Sequence, residues 1–278
     1  MVIESLINPL KANRRPVEMF FIGAFYSSFA ILLSLLIFRE DSSLVMIFLT
    51  VLACAQFMYG AIKIEEVKEM NIVDRKFLFK EHGRTLLFFM YIFLGFVFSY
   101  LLWFSFLPDG TVQDLFRTQI RDINYVQELK YDISGNVINY DQALSDIFLN
   151  NLLVLFFCLV FSFFYGVGSI FVLTWNASVI GAAIGIFIRT NLTASHLSNI
   201  SIGIIGMSKY LLHGIPEIFA YFAGGLAGGI ISIAIIRHDY GSPNFKKVIK
   251  DSFDLIILSI FILFIAALIE VFITPVLF

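Results

Sequence analysis

Apolar residues fall in long runs separated by polar stretches, and the lengths of the runs set the fold class. A helix that crosses a bilayer needs about 20 mostly apolar residues. By that measure the first four spans lie near 17–38, 44–62, 85–107 and 149–173. Shorter or interrupted ones follow near 175–189 and 210–236, and a last span covers 253–274. The pattern predicts an all-α polytopic transmembrane bundle of about seven spans. The segment 175–189 is the weak element, because at 1.5 Å per residue it covers only about 22 Å of a roughly 30 Å core. A re-entrant fifth segment would reduce the count to six.

Between the runs the chain divides into four regions. Residues 1–16 mix Ile3, Leu6, Ile7 and Leu10 with Lys11, Arg14 and Arg15, as an interfacial helix does. Residues 17–107 hold three spans and a charged linker, 63–84, that reads as a helical extension and turn. The stretch 108–147 is too long for a plain connection and should hold structure of its own. In it Phe116, Ile120 and Ile123 recur at roughly helical spacing, Tyr131 to Tyr140 reads as a small hairpin or turn, and Asp141 is placed to cap the next helix. Residues 148–278 form a four-span region.

Composition agrees with a membrane class. Apolar residues make up 59% of the 278 and charged residues 14%, where a soluble chain carries roughly a quarter charged. A net charge of −2 gives nucleic acid no purchase. The full-length first apolar stretch after a polar start argues against a cleavable signal peptide. Thirteen of the nineteen Lys and Arg lie in 1–16, 63–84 and 237–252, whereas 108–147 has three against seven acids. Cytoplasmic loops collect Lys and Arg, so the distribution places the N-terminus in the cytoplasm and 108–147 outside a plasma membrane. Cys54 and Cys158 both lie inside apolar runs and read as small buried hydrophobes.

The segment His213-Gly214-Ile215-Pro216-Glu217 carries the candidate chemistry. Proline fits the first turn of a helix and breaks its interior, so Pro216 reads as a helix start, with His213-Gly214 as the turn before it. Glu217 then meets the positive end of the helix dipole. That is a capped helix start in the bland reading and a substrate- or ion-facing pair in the functional one. Counting from Ser252, Glu270 lies about 26 Å along the last span. That puts it at the outer level expected for His213 and Glu217, for Asn150 and Asn151 at the head of span four, and for Arg189 at the end of span five. Together these residues could form a polar vestibule, with Arg189 countering a carboxylate, while Asn176 would begin span five on the inner side. A catalytic or metal pair lacks further ligands or a nucleophile. No His-Glu-x-x-His, Gly-x-Ser-x-Gly, Walker or dinucleotide motif is present, so neither catalysis nor a cofactor is expected.

Gly181 and Gly185, and Gly224 and Gly228, stand four apart, which permits close helix approach. These faces suggest packing against neighbouring spans and self-association, with a homodimer as the default. Gly95 stands in a span without such a pattern. Asn191-Leu192-Thr193 and Asn199-Ile200-Ser201 fit an N-glycosylation triplet.

The succession Asn150-Asn151-Leu152, Gly166, Gly168, Trp175-Asn176-Ala177, Gly181, His213-Gly214-Ile215-Pro216-Glu217 and a glycine-rich helix resembles the stage II sporulation protein M family of bacterial and archaeal multi-pass proteins. The resemblance covers roughly 149–236, and Asn176-Ala177 replaces the family's usual Asn-Gly. It implies an all-helical membrane fold at the plasma membrane and transfers no catalytic residue. The bacterial namesake works with cell-wall hydrolases. Two functions therefore lead, a small-solute or ion conduit or carrier and a scaffold recruiting an envelope protein through 108–147, with an intramembrane hydrolase using His213 and Glu217 as a third.

Overall fold

A computed structural model describes residues 16–71, 75–124, 140–165, 168–194, 199–236 and 242–277. The expected interfacial segment before Pro16 and the turn within 131–139 lie outside the described residues. Among the described residues seven long helices are apolar enough to cross a membrane. They are α1 (Pro16–Ile37), α2 (Ser42–Asn71), α3 (Arg75–Phe106), α4 (Tyr140–Tyr165), α5 (Ser169–Ala194), α6 (Asn199–Ile236) and α7, which runs from Pro243 to Leu268 and continues to Leu277. The molecule is an all-α polytopic bundle, with no strand among the described residues.

The fifth span is a full one. Its 26 residues rise about 39 Å, which removes the re-entrant alternative. The break between spans four and five falls between Tyr165 and Ser169, not near 174. Both helices and their junction are apolar, so hydropathy alone does not mark the junction. The linker 63–84 is helical on both sides of 72–74, as expected.

In lipid the hydrophobic effect does not hold helices together, and close backbone approach takes its place. A Cβ on Gly23 would strike the Ile92 carbonyl, and one on Gly95 the Phe20 carbonyl, so α1 and α3 touch backbone to backbone. Gly95 is thus a contact glycine, contrary to its isolated position in the sequence. Gly181 lies over Tyr100 and Gly185 over Phe104, which joins α5 to α3. Gly224 meets Leu155, and a Cβ on Gly228 would lie 2.7 Å from the Leu159 carbonyl, which joins α6 to α4. These glycine faces are consumed within the chain, so the argument from them to a second copy lapses. At the centre stands α6, where every residue from Ala220 to Ile230 is buried. The rings of Phe89 and Phe222 stack at 5.3 Å and tie it to α3. Outward-facing Phe21, Phe25 and Phe29 on α1, and Phe253, Ile257 and Phe261 on α7, are exposed, as lipid-facing residues are.

Two short helices, Asp109–Leu115 and 117–124, form a strap folded onto the bundle. Val112, Leu115 and Phe116 are buried, and the Phe116 ring lies between Tyr100 and Phe104. Helical spacing in this loop is borne out, with Phe116 itself at the turn between the two helices. Asp141 falls in the first turn of α4.

Candidate functional site

The largest departure from expectation is α6. It is continuous from Asn199 to Ile236, with Pro216 in its interior, so His213-Gly214 is no turn and the sixth span is unbroken. Proline removes one helix hydrogen bond and crowds the carbonyl four residues back. Membrane helices tolerate this where packing against neighbours holds them, and α6 packs along both α4 and α7. Glu217 therefore lies midway along the helix, about 27 Å of rise from either end, instead of in its first turn. The dipole of a helix start does not reach it, because that effect dies within one turn.

Asn151, 6% exposed, projects from α4 and donates Nδ2 to Glu217 Oε1 at 2.8 Å. Glu270 belongs to the Ile269–Ile273 segment of α7, which packs against both α6 and α4, and Tyr221 lies one turn beyond Glu217 and is buried. Across the same junction His213 Nδ1 and Thr274 Oγ1 approach to 3.5 Å. The Thr274 hydroxyl proton goes to a carbonyl of its own helix, so the ring nitrogen is the donor of this pair.

Glu270 reaches this position on a π-turn, Ile269–Ile273. The Thr274 amide bonds to the Ile269 carbonyl five residues back, and Thr274 Oγ1 donates to the same oxygen at 3.2 Å. Pro275 follows directly. Having no N–H and clashing with the carbonyl four residues back, it favours the wider turn before it. Such single turns inside helices are frequent at functional sites. Two neighbouring helices thus each carry a carboxylate beside a proline-altered turn, Glu217 with Pro216 and Glu270 with Pro275.

Of the residues expected at the site, Asn151, His213, Glu217 and Glu270 come together. Asn150 is exposed. Asn176 lies seven residues inside α5, where its Nδ2 donates to the Val172 carbonyl of its own helix. Arg189 counters no carboxylate of the cluster. It donates to Asp109 Oδ1 and to the Leu107 and Ser105 carbonyls, and its guanidinium sits 5.4 Å from the centre of the Phe104 ring. Thr274 and Tyr221 were missed. Thr274-Pro275 was a legible cue, as was the four-residue spacing of Tyr221 from Glu217.

The cluster offers carboxyl, amide and hydroxyl oxygens and one imidazole between three spanning helices. That donor set suits a hard cation or a small polar solute. Among the described residues no three His, Cys, Asp or Glu side chains gather in a metal-holding group.

A family model described as Stage II sporulation protein M matches residues 76–275. The match takes in α3 to α7 and leaves out α1 and α2. An uncharacterised protein of Methanocaldococcus jannaschii is 32% identical over 147 residues, which cover 52% of this chain and 78% of that protein. No solved structure matches.

Proposed function

The chain belongs to the stage II sporulation protein M family, and from that premise we propose that this multi-pass membrane protein is a carrier or conduit for a small solute or ion. Its binding site is the cluster of Asn151, His213, Glu217, Glu270 and Thr274. The observation that carries the reading is the Asn151–Glu217 hydrogen bond, which keeps a carboxylate in the interior of a spanning bundle. Ionisable groups there are costly, by about 2.5–3.5 kcal/mol on insertion scales, and they mark pathways and binding sites.

A carboxylate pair with an amide and a hydroxyl attracts a cation, and α4, α6 and α7 are the elements that would move around it. The reading assigns no catalysis, and it places the protein in the plasma membrane with the N-terminus in the cytoplasm. The test is sodium, potassium or proton flux in proteoliposomes, comparing the native chain with Glu217→Gln. Flux in the native chain and none in the variant supports the carrier. Equal flux in both, or none in either, removes it and leaves the scaffold acting through 108–147 as the better account.

A further inference from the structure

Away from the carboxylates, the strap carries an amide deep into the bundle. Gln119 is completely buried. Its Oε1 accepts from Ser43 on α2 at 2.8 Å, and its Nε2 donates to Ser178 on α5 at 3.1 Å. Ser178 is about 24 Å of helical rise from the end of α5 at Ala194. An amide from an extramembrane segment therefore meets hydroxyls well inside the spanning region. One turn further along the same face of α5, the Thr174 hydroxyl is fully buried and has no hydrogen-bond partner.

Bare buried hydroxyls are rare because each forfeits its bonds to water. The usual resolution is a trapped water with polar partners around it. Ser178 Oγ spends its proton on the Trp175 carbonyl and accepts from Gln119, which leaves it one lone pair for such a molecule. We infer that the hydroxyl face of α5 beneath the strap, Thr174 and Ser178, is a binding site for water or a neutral hydrogen-bonding molecule of that size, with Gln119 as its stopper. A hydroxyl and amide lining without charge selects neutral species, which separates this site from the carboxylate cluster. The strap is fastened by Arg189, whose contacts to Asp109 and the Leu107 carbonyl lie at the rim. Asp109 is 94% exposed, and an exposed ion pair of this kind is easily opened.

Two measurements on the full chain in nanodiscs test the site. Thr174→Val keeps the shape and removes the hydroxyl. If the hydroxyl holds a molecule, Tm falls by about 2–4 °C; an unchanged or higher Tm overturns the binding site. For the stopper, Thr174→Cys on a background lacking Cys54 and Cys158 is exposed to a small neutral thiol reagent, with and without Arg189→Gln. Labelling at least tenfold faster with Arg189→Gln is expected, while Ala220→Cys, buried in α6, stays unlabelled in both. No acceleration at 174, or equal acceleration at 220, overturns the stopper. If Arg189→Gln does not fold, Asp109→Asn loosens the same latch and is read in the same way.

Discussion

Asn151 Nδ2 lies 2.8 Å from Glu217 Oε1, so a neutral amide on α4 holds a carboxylate midway along α6. An intramolecular hydrogen bond contributes about 0.5–1.5 kcal/mol. Asn151→Ala should therefore lower stability by about that amount, and Asn150→Ala, at an exposed position, by less than about 0.5 kcal/mol. Thermal unfolding in detergent separates the two. Equal shifts would mean that the amide does not hold the carboxylate.

The glycine contacts give an ordered series. A Cβ on Gly95 would strike the Phe20 carbonyl and lie 2.8 Å from the Ala24 amide nitrogen, and backbone atoms cannot step aside. Gly95→Leu should abolish folded protein, and Gly228→Leu, against the Leu159 carbonyl, should come close to doing so. Gly224→Leu should be milder, since its obstacle is the movable end of the Leu155 side chain. Gly203 has nothing within 4 Å, so Gly203→Ala should raise Tm by about 1–3 °C through higher helix propensity. Monodisperse yield in size-exclusion chromatography ranks the series, and a well-folded Gly95→Leu would refute the α1–α3 contact.

Orientation follows from charge. Lys11, Arg14 and Arg15, with Lys246 and Lys247, share a side under seven crossings, and the positive-inside rule makes that side cytoplasmic. Single cysteines at Ser5, Gln127 and Ser242, without Cys54 and Cys158, are treated with an impermeant thiol reagent in intact cells. Only the one at Gln127 should react. Reaction at 5 and 242 but not at 127 would invert the molecule.

The number of helices was legible because a span declares itself by apolar length alone. Registers between helices were not. Asn150 and Asn151 look alike in sequence, and only the rotation of α4 against α6 decides that Asn151 meets Glu217. Pro216 was read as a helix start because proline fits a first turn, but flanking contacts with α4 and α7 carry the helix through it. Gly95 had no partner in its own span; its partner is the backbone of α1, which local spacing cannot reveal. Gln119 gave no signal, since one amide in a polar loop looks solvated until the loop is seen to fold inward.

The π-turn makes the sharpest test of the cluster. With Pro275 in place, the Thr274 amide reaches back five residues to Ile269, and the turn packs against α6. Pro275→Ala restores an N–H and removes the clash with the carbonyl of Val271, so the turn can close to ordinary α geometry. Closing the turn shifts the residues that follow it by one position in register, about 100° around the helix axis, and carries Thr274 away from His213. Helix propensity favours alanine over proline by about 3 kcal/mol in a helix interior, so Tm should hold or rise. Cation flux or binding should nevertheless fall at least tenfold, to the level of Glu270→Gln. A structural residue gives the opposite pairing, with lost stability and retained flux. Full flux in Pro275→Ala with Tm unchanged would show that the position of Thr274 does not matter, and the cluster would shrink to Asn151, His213, Glu217 and Glu270.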